Sequence, residues 1–202
     1  NLIVNNPIAL TTANVQTNLL GLSATTQRYN GVISGGNASA TLFLNMNTSG
    51  SDGVTLFANT ANTFTMSRIT VNRGVLAIAG AGSLGALTNR LFLDTTNLNG
   101  GLRFDGDNIN ITHPVQFNDY ARINVNSRTG AEISTAISGA AGNRTNPYTI
   151  SGGVLKLSGA NTFYHFVDVA AGGTLHVTNA SALGTAVGVA DRTRVSAGGT
   201  LL

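Results

Sequence analysis

Displaced by 99 residues, the chain falls on itself. Asn62-Thr63-Phe64 meets Asn161-Thr162-Phe163, Val75-Leu76-Ala77-Ile78 meets Thr174-Leu175-His176-Val177, and Leu84-Gly85 meets Leu183-Gly184. Upstream the offset drifts, with Ile33-Ser34-Gly35 matching Ile137-Ser138-Gly139 and Pro7-Ile8 matching Pro114-Val115 at slightly larger displacements. Such drift is what loop insertions between stacked units produce. An internal repeat constrains the fold before any local signal does, because a single repeat cannot bury its apolar face alone. The chain reads as one segment holding two tandem units, residues 1–107 and 108–202. It starts and stops in mid-pattern, so the expectation is a piece of a longer protein.

Within each unit a shorter rhythm runs at period two. Thr41-Leu42-Phe43-Leu44, Arg68-Ile69-Thr70-Val71, Arg90-Leu91-Phe92-Leu93, Arg122-Ile123-Asn124-Val125 and Val154-Leu155-Lys156-Leu157 all alternate. Alternation over four to six residues marks short strands, and Gly, Asn or Ser-Gly punctuates nearly every gap. No stretch carries helical periodicity with caps, so an all-β fold with no significant α-helix is expected. Asn-Gly occurs only at Asn30-Gly31 and Asn99-Gly100, too few for the hairpins of a sandwich or barrel. A parallel β-solenoid, or β-helix, meets both constraints. Coils of roughly 20–25 residues at a strand spacing near 4.8 Å would give about eight to ten coils and a rod about 40 Å long. Leu, Val, Ile and Phe should face inward, and Thr, Asn, Arg and Ser outward.

Composition narrows the partners. Only 9% of residues are charged, against roughly 25% in an ordinary soluble domain. The net charge of +3 comes from arginines scattered from Arg28 to Arg194, which argues against nucleic acid as a partner. Cys is absent, excluding thiol catalysis and zinc–thiolate sites. No apolar run approaches the roughly 20 residues of a membrane-spanning helix.

From Ser151 to Phe163 the chain reads Ser-Gly-Gly-Val-Leu-Lys-Leu-Ser-Gly-Ala-Asn-Thr-Phe, and it continues through Val167-Asp168-Val169, Ala171-Gly172-Gly173-Thr174-Leu175 and Ala182-Leu183-Gly184. This stretch resembles the autotransporter-associated β-strand repeat, also called the passenger-associated transport repeat, of autotransporter passenger domains. A weaker copy spans residues 53–85. The resemblance implies a right-handed parallel β-helix, export across an outer membrane, an extracellular or cell-surface location, and adhesion or aggregation. Any outer-membrane association would come through a region outside this chain.

Candidate chemistry is sparse. Asp52, Asp94, Asp105, Asp107, Asp119, Glu132, Asp168 and Asp191 are the acidic residues, and only Asp105 and Asp107 stand close together. On a strand, residues i and i+2 share a face, so these two are the weak candidates for a Ca²⁺ site or an acid/base pair. The alternative is an Asx-rich turn. His113, His165 and His176 lack metal-ligand spacing, and His176, between Leu175 and Val177, should face outward. Gly80-Ala81-Gly82 and Ser138-Gly139-Ala140-Ala141-Gly142 lack the strand–loop–helix context of a phosphate loop and read as turns. Asn37, Asn47, Asn110, Asn143 and Asn179 head glycosylation-type triplets that an Asn- and Thr-rich chain carries by chance. The phenylalanines are expected in the core. Tyr29, Tyr120, Tyr148 and Tyr164 could line a carbohydrate-binding face.

The reading is therefore not an enzyme, with no cofactor, catalytic residue or metal assigned. The expected function is a structural or adhesive rod of a bacterial cell-surface or secreted protein, with surface glycans or proteins as partners. The alternative is a self-assembling extracellular filament that stacks through open β edges. A polysaccharide-degrading β-helix enzyme would rest on Asp105 and Asp107 alone.

Overall fold

The computed structural model describes residues 1–11, 16–21, 25–46, 53–93, 101–118, 121–126, 129–139, 148–164, 166–185 and 193–202, with residues 16–21, 45 and 46 described in backbone only. Every strand pairing among them is parallel. Parallel neighbours need a crossover connection, and here each connection is one coil of the chain. The protein is a parallel β-solenoid. Its largest sheet stacks nine strands in sequence order: Leu2–Val4, Thr26–Tyr29, Val54–Phe57, Val75–Ile78, Gly101–Phe104, Arg122–Val125, Tyr148–Gly152, Val167–Val169 and Arg194–Val195. A seven-stranded sheet runs from Ile137–Gly139 back through Val115–Phe117, Arg90–Leu93, Thr65–Arg73 and Ile33–Met46 to Ile8–Leu10, with Gln16–Gly21 also paired to Ile33–Met46. A five-stranded sheet takes up the later coils, from Ile109–Ile111 through Ala131–Ile133, Val154–Leu157 and Thr174–Val177 to Thr200–Leu201. No α-helix occurs among the described residues; the sole helical element there is a 3₁₀ turn, Ala81–Leu84.

Because pairing is rung on rung, interior side chains stack on their own counterparts. In the nine-stranded sheet one column runs Leu76, Leu102, Ile123, Ile150, Val169 and its neighbour runs Tyr29, Phe57, Ile78, Phe104, Val125. All of these are buried in one continuous core. Columns of similar volume keep the interior close-packed without forcing one rung to accommodate another.

Alternation corrects part of the inward assignment. Phe43 and Phe92 share a row with Thr70, opposite in phase to the buried Leu42, Leu44, Leu91 and Leu93, and both are half-exposed on the outer face. Conversely Gln27 and Thr55 point inward and are buried; the Tyr29 hydroxyl donates to Gln27 Oε1 at 3.3 Å, which satisfies the buried amide oxygen. Tyr29 and Tyr148 are core residues and line no outer face. Tyr29 meets Phe57 edge-on, and Tyr148 meets both Phe117 and Phe163.

The repeat motif has a definite task. Asn62 Oδ1 accepts from the Ile33 N–H at 2.8 Å, and its Nδ2 donates to the Ser83 carbonyl at 2.9 Å. Asn161 makes the same two bonds, from Ile137 N–H at 2.8 Å and to the Ala182 carbonyl at 2.6 Å. Each amide thus clamps the coil before it to the coil after it, beside the backbone bonds from Thr63 N–H to the Ile33 carbonyl and from Thr162 N–H to the Ile137 carbonyl. The Phe two residues on, Phe64 or Phe163, fills the core. Gly85 and Gly184 then pass beneath it with φ of 72° and 80°, and a Cβ on either would lie within 2.5 Å of that Phe carbonyl.

The two copies occupy different faces. Val75–Ile78 lies in the nine-stranded sheet, whereas its sequence counterpart Thr174–Val177 lies in the five-stranded one. Coil lengths vary, so the offset between copies spans a whole number of strand–turn steps but not of full coils.

Asn161→Ala should lower stability by about 2–4 kcal/mol, since it leaves a buried N–H and a buried carbonyl unpaired. The exposed neighbour substitution Thr162→Ala should stay within about 0.5 kcal/mol of the parent. Urea unfolding followed by circular dichroism compares them, and equal effects would remove the clamp from the account.

Candidate functional site

Outward residues stack in columns too, so the chemistry of each face depends on which side chains the register places on adjacent rungs. On the five-stranded sheet the column runs Asn110, Glu132, Lys156, His176. Lys156 Nζ lies 3.2 Å from Glu132 Oε1, and the Ser158 hydroxyl donates to the same oxygen. That hydroxyl, more than any other group, holds the Glu132 carboxyl below its ordinary range; burial opposes it, and Lys156 and then His176 add to it. Asn108, Thr129 and the exposed Val154 flank the column, and together they enclose a shallow groove of about 320 Å³. Amide, carboxylate, ammonium and imidazole at rung spacing offer alternating acceptors and donors to a hydroxyl-rich ligand. Glu132 is the one carboxylate lining the groove, and it is held ionised, which suits accepting hydrogen bonds and not donating a proton.

A second charged cluster sits on the last rungs of the nine-stranded sheet. Arg194 reaches across to Asp168 with Nε–Oδ1 3.2 Å and Nη2–Oδ2 2.5 Å, and Ser196 Oγ donates to Oδ1 at 3.0 Å. The Arg194 bonds hold the Asp168 carboxyl down. This fork closes a pair on neighbouring rungs.

Asp105 and Asp107 do not lie on a strand. Asp105 to Asn108 form the turn between Gly101–Phe104 and Ile109–Ile111. Arg103 takes Asp105 in a two-pronged pair, both distances 2.6 Å. Asp107 is exposed, and Asn108 adopts a φ of 54° while its N–H donates to Thr129 Oγ1 at 2.8 Å. The i, i+2 geometry that would aim both carboxylates at one ligand is replaced by the turn. Among the described residues no three His, Asp or Glu side chains converge as a metal site. Asp52, Asp94, Asp119, Asp191, His165, Tyr120, Asn47 and Asn143 lie outside the described residues.

Two groups escaped sequence reading. The Glu132–Lys156–His176 column is invisible until coil lengths are known. His113 looked ordinary beside Pro114, yet it is 1% exposed, its Nε2 is 3.4 Å from the Gly85 carbonyl, and its Nδ1 has no partner. Comparison with family models, with curated proteins and with solved structures finds no match.

Burial lowers the His113 pKa, and the Gly85 carbonyl only partly offsets it. A base whose folded pKa is depressed contributes stability above its unfolded value, near 6.5, that is lost as pH falls towards the folded value. Thermal unfolding midpoints should therefore drop below about pH 6.5, and His113→Leu should flatten that decline. Glu132 and Asp168, also depressed, act only below the ordinary carboxylate values, so their loss at stronger acid should survive the substitution. An unchanged profile between pH 6.5 and 5 in His113→Leu would assign the decline elsewhere.

Proposed function

We propose that this chain is a stretch of a structural and adhesive rod belonging to a bacterial cell-surface or secreted protein. The observation that carries the reading is the uninterrupted stack of nine parallel rungs over one continuous core. Stacked coils give a stiff object roughly 40 Å long at the usual strand spacing. Its carboxylates Asp105, Glu132 and Asp168 are paired with Arg103, Lys156 and Arg194. The resemblance of residues 151–184 to the autotransporter passenger repeat supports the surface location, and Asn161, Phe163 and Gly184 in that stretch serve the stacking itself. On this reading the groove over Glu132, Lys156 and His176 is a contact surface for glycans or proteins.

Antibodies raised against the chain should label intact cells of the source bacterium, and external protease should remove that label. Labelling that requires cell lysis would overturn the surface reading.

We propose as a second reading a filament subunit, in which the outermost rungs of two copies pair edge to edge. Leu2 and Ile3 on the first rung, and Val195, Leu201 and Leu202 on the last, are all more than 40% exposed. Further coils of the same protein or a second copy would cover them, and the filament reading takes the second copy. Light scattering with negative-stain imaging should then show concentration-dependent growth into thin smooth fibres; single rods at all concentrations would leave the stalk.

A further inference from the structure

The arginines look scattered in sequence, but the register of the seven-stranded sheet gathers two of them. Thr41, Arg68 and Arg90 form one outward column, and Phe43, Thr70 and Phe92 form the next. Arg68 and Arg90 are both exposed and stand on adjacent rungs, about 4.8 Å apart by strand spacing. Among the described residues neither guanidinium has a carboxylate partner, and the described carboxylates sit on, or in turns between, the other two sheets. Where the described register sets a carboxylate beside a cation, Glu132 with Lys156 and Asp168 with Arg194, the two are paired. Here two like charges are stacked with no carboxylate between them among the described residues, which is unfavourable unless an anion joins them.

The neighbouring column supplies a different chemistry. Phe43 and Phe92 are half-exposed on an outer face, where alternation calls for polar residues. The Arg68 guanidinium carbon stands 5.4 Å from the centre of the Phe92 ring, so the cation is already oriented and loses less freedom on binding. Between the rings Thr70 is buried, so the surface of this column is formed by Phe43 and Phe92.

We infer that this strip binds an acidic polysaccharide. The guanidinium forks take carboxylate or sulfate groups on successive sugars, and the apolar faces of the sugar rings lie on Phe43 and Phe92. The planar, two-pronged match of guanidinium to carboxylate or sulfate makes two arginines sufficient for register. Two cations are too few to hold a nucleic acid, whose affinity rests on many phosphate contacts and collapses with salt. The proposal deepens the adhesive half of the function above by naming a face and a ligand class.

Binding of the whole chain to immobilised polygalacturonate, heparin, dextran and oligothymidylate tests it. Polygalacturonate or heparin should be retained and dextran should not, and which of the two is retained identifies carboxylate or sulfate as the partner. The double variant Arg68→Ala/Arg90→Ala should weaken binding about tenfold or more, as expected for losing both charge-assisted contacts. Phe92→Leu should weaken it several-fold, while Arg28→Ala, on the nine-stranded sheet, should bind like the parent. All these side chains are at the surface, so unfolding midpoints serve as the folding control. The inference is overturned if neither acidic polymer binds, if dextran binds equally, if Arg28→Ala matches the double variant, or if oligothymidylate binds more tightly. Surface labelling with antibody is unaffected by any of those outcomes, so the rod reading stands or falls separately.

Discussion

Everything in this molecule depends on the backbone hydrogen bonds between one coil and the next. A buried N–H or carbonyl without a partner is costly, and a solenoid has no partner to offer except the rung above and the rung below. Where strands run, the ladder meets the demand. Where the chain turns a corner, isolated backbone bonds such as Ala58 N–H to Tyr29 O and Asn126 N–H to Phe104 O meet part of it, and the side-chain amides of Asn62, Asn89 and Asn161 supply further partners. Asn89 makes the point most fully: its Oδ1 accepts from the Met66 N–H, and its Nδ2 donates to the carbonyls of both Phe64 and Leu84. These three asparagines are thus required by the corners they hold.

The same stacking explains why the chain has so few charges. Any outward charge meets the residue one coil away at strand spacing, so a like charge there is repelled and must be avoided or paired. Glu132 is followed by Lys156 one rung on, and Asp168 by Arg194. Thr, Ser and Asn fill most of the remaining positions because a column of them is indifferent to its neighbours. Against that rule the Arg68–Arg90 column stands out as a place where stacking alone cannot account for the residues chosen.

Much of this was legible in the sequence. Period-two alternation placed strands such as Arg90–Leu93, Arg122–Val125 and Val154–Leu157, and the self-match required a stacked fold. The Asn-Thr-Phe step marked a recurring position, although only geometry shows that its Asn is a clamp. What sequence could not supply is the lateral register. Coil length changes from rung to rung, so residues such as Glu132, Lys156 and His176, separated by unequal intervals, show no pattern until the coils are laid on one another. The same uncertainty hid the switch of face between the two repeat copies. The inward assignment of Phe43 and Phe92 failed for a simpler reason: residue type was allowed to outweigh phase, whereas a strand with Leu42 and Leu44 inside must put Phe43 outside.

A fold of this kind does not name a function, because the same stack of coils can carry many different surfaces. Its core columns must stay apolar and similar in size from rung to rung, or the coils will not seat. Its outer columns are free of that demand, apart from the avoidance of stacked like charges. Function therefore has to be read where an outer column departs from what seating requires. Pairs such as Asp168 with Arg194 satisfy themselves and call for nothing further. Partly exposed rings beside two guanidiniums that have no carboxylate partner among the described residues do not, and a partner whose charge and apolar faces recur along its length is what their geometry would complete.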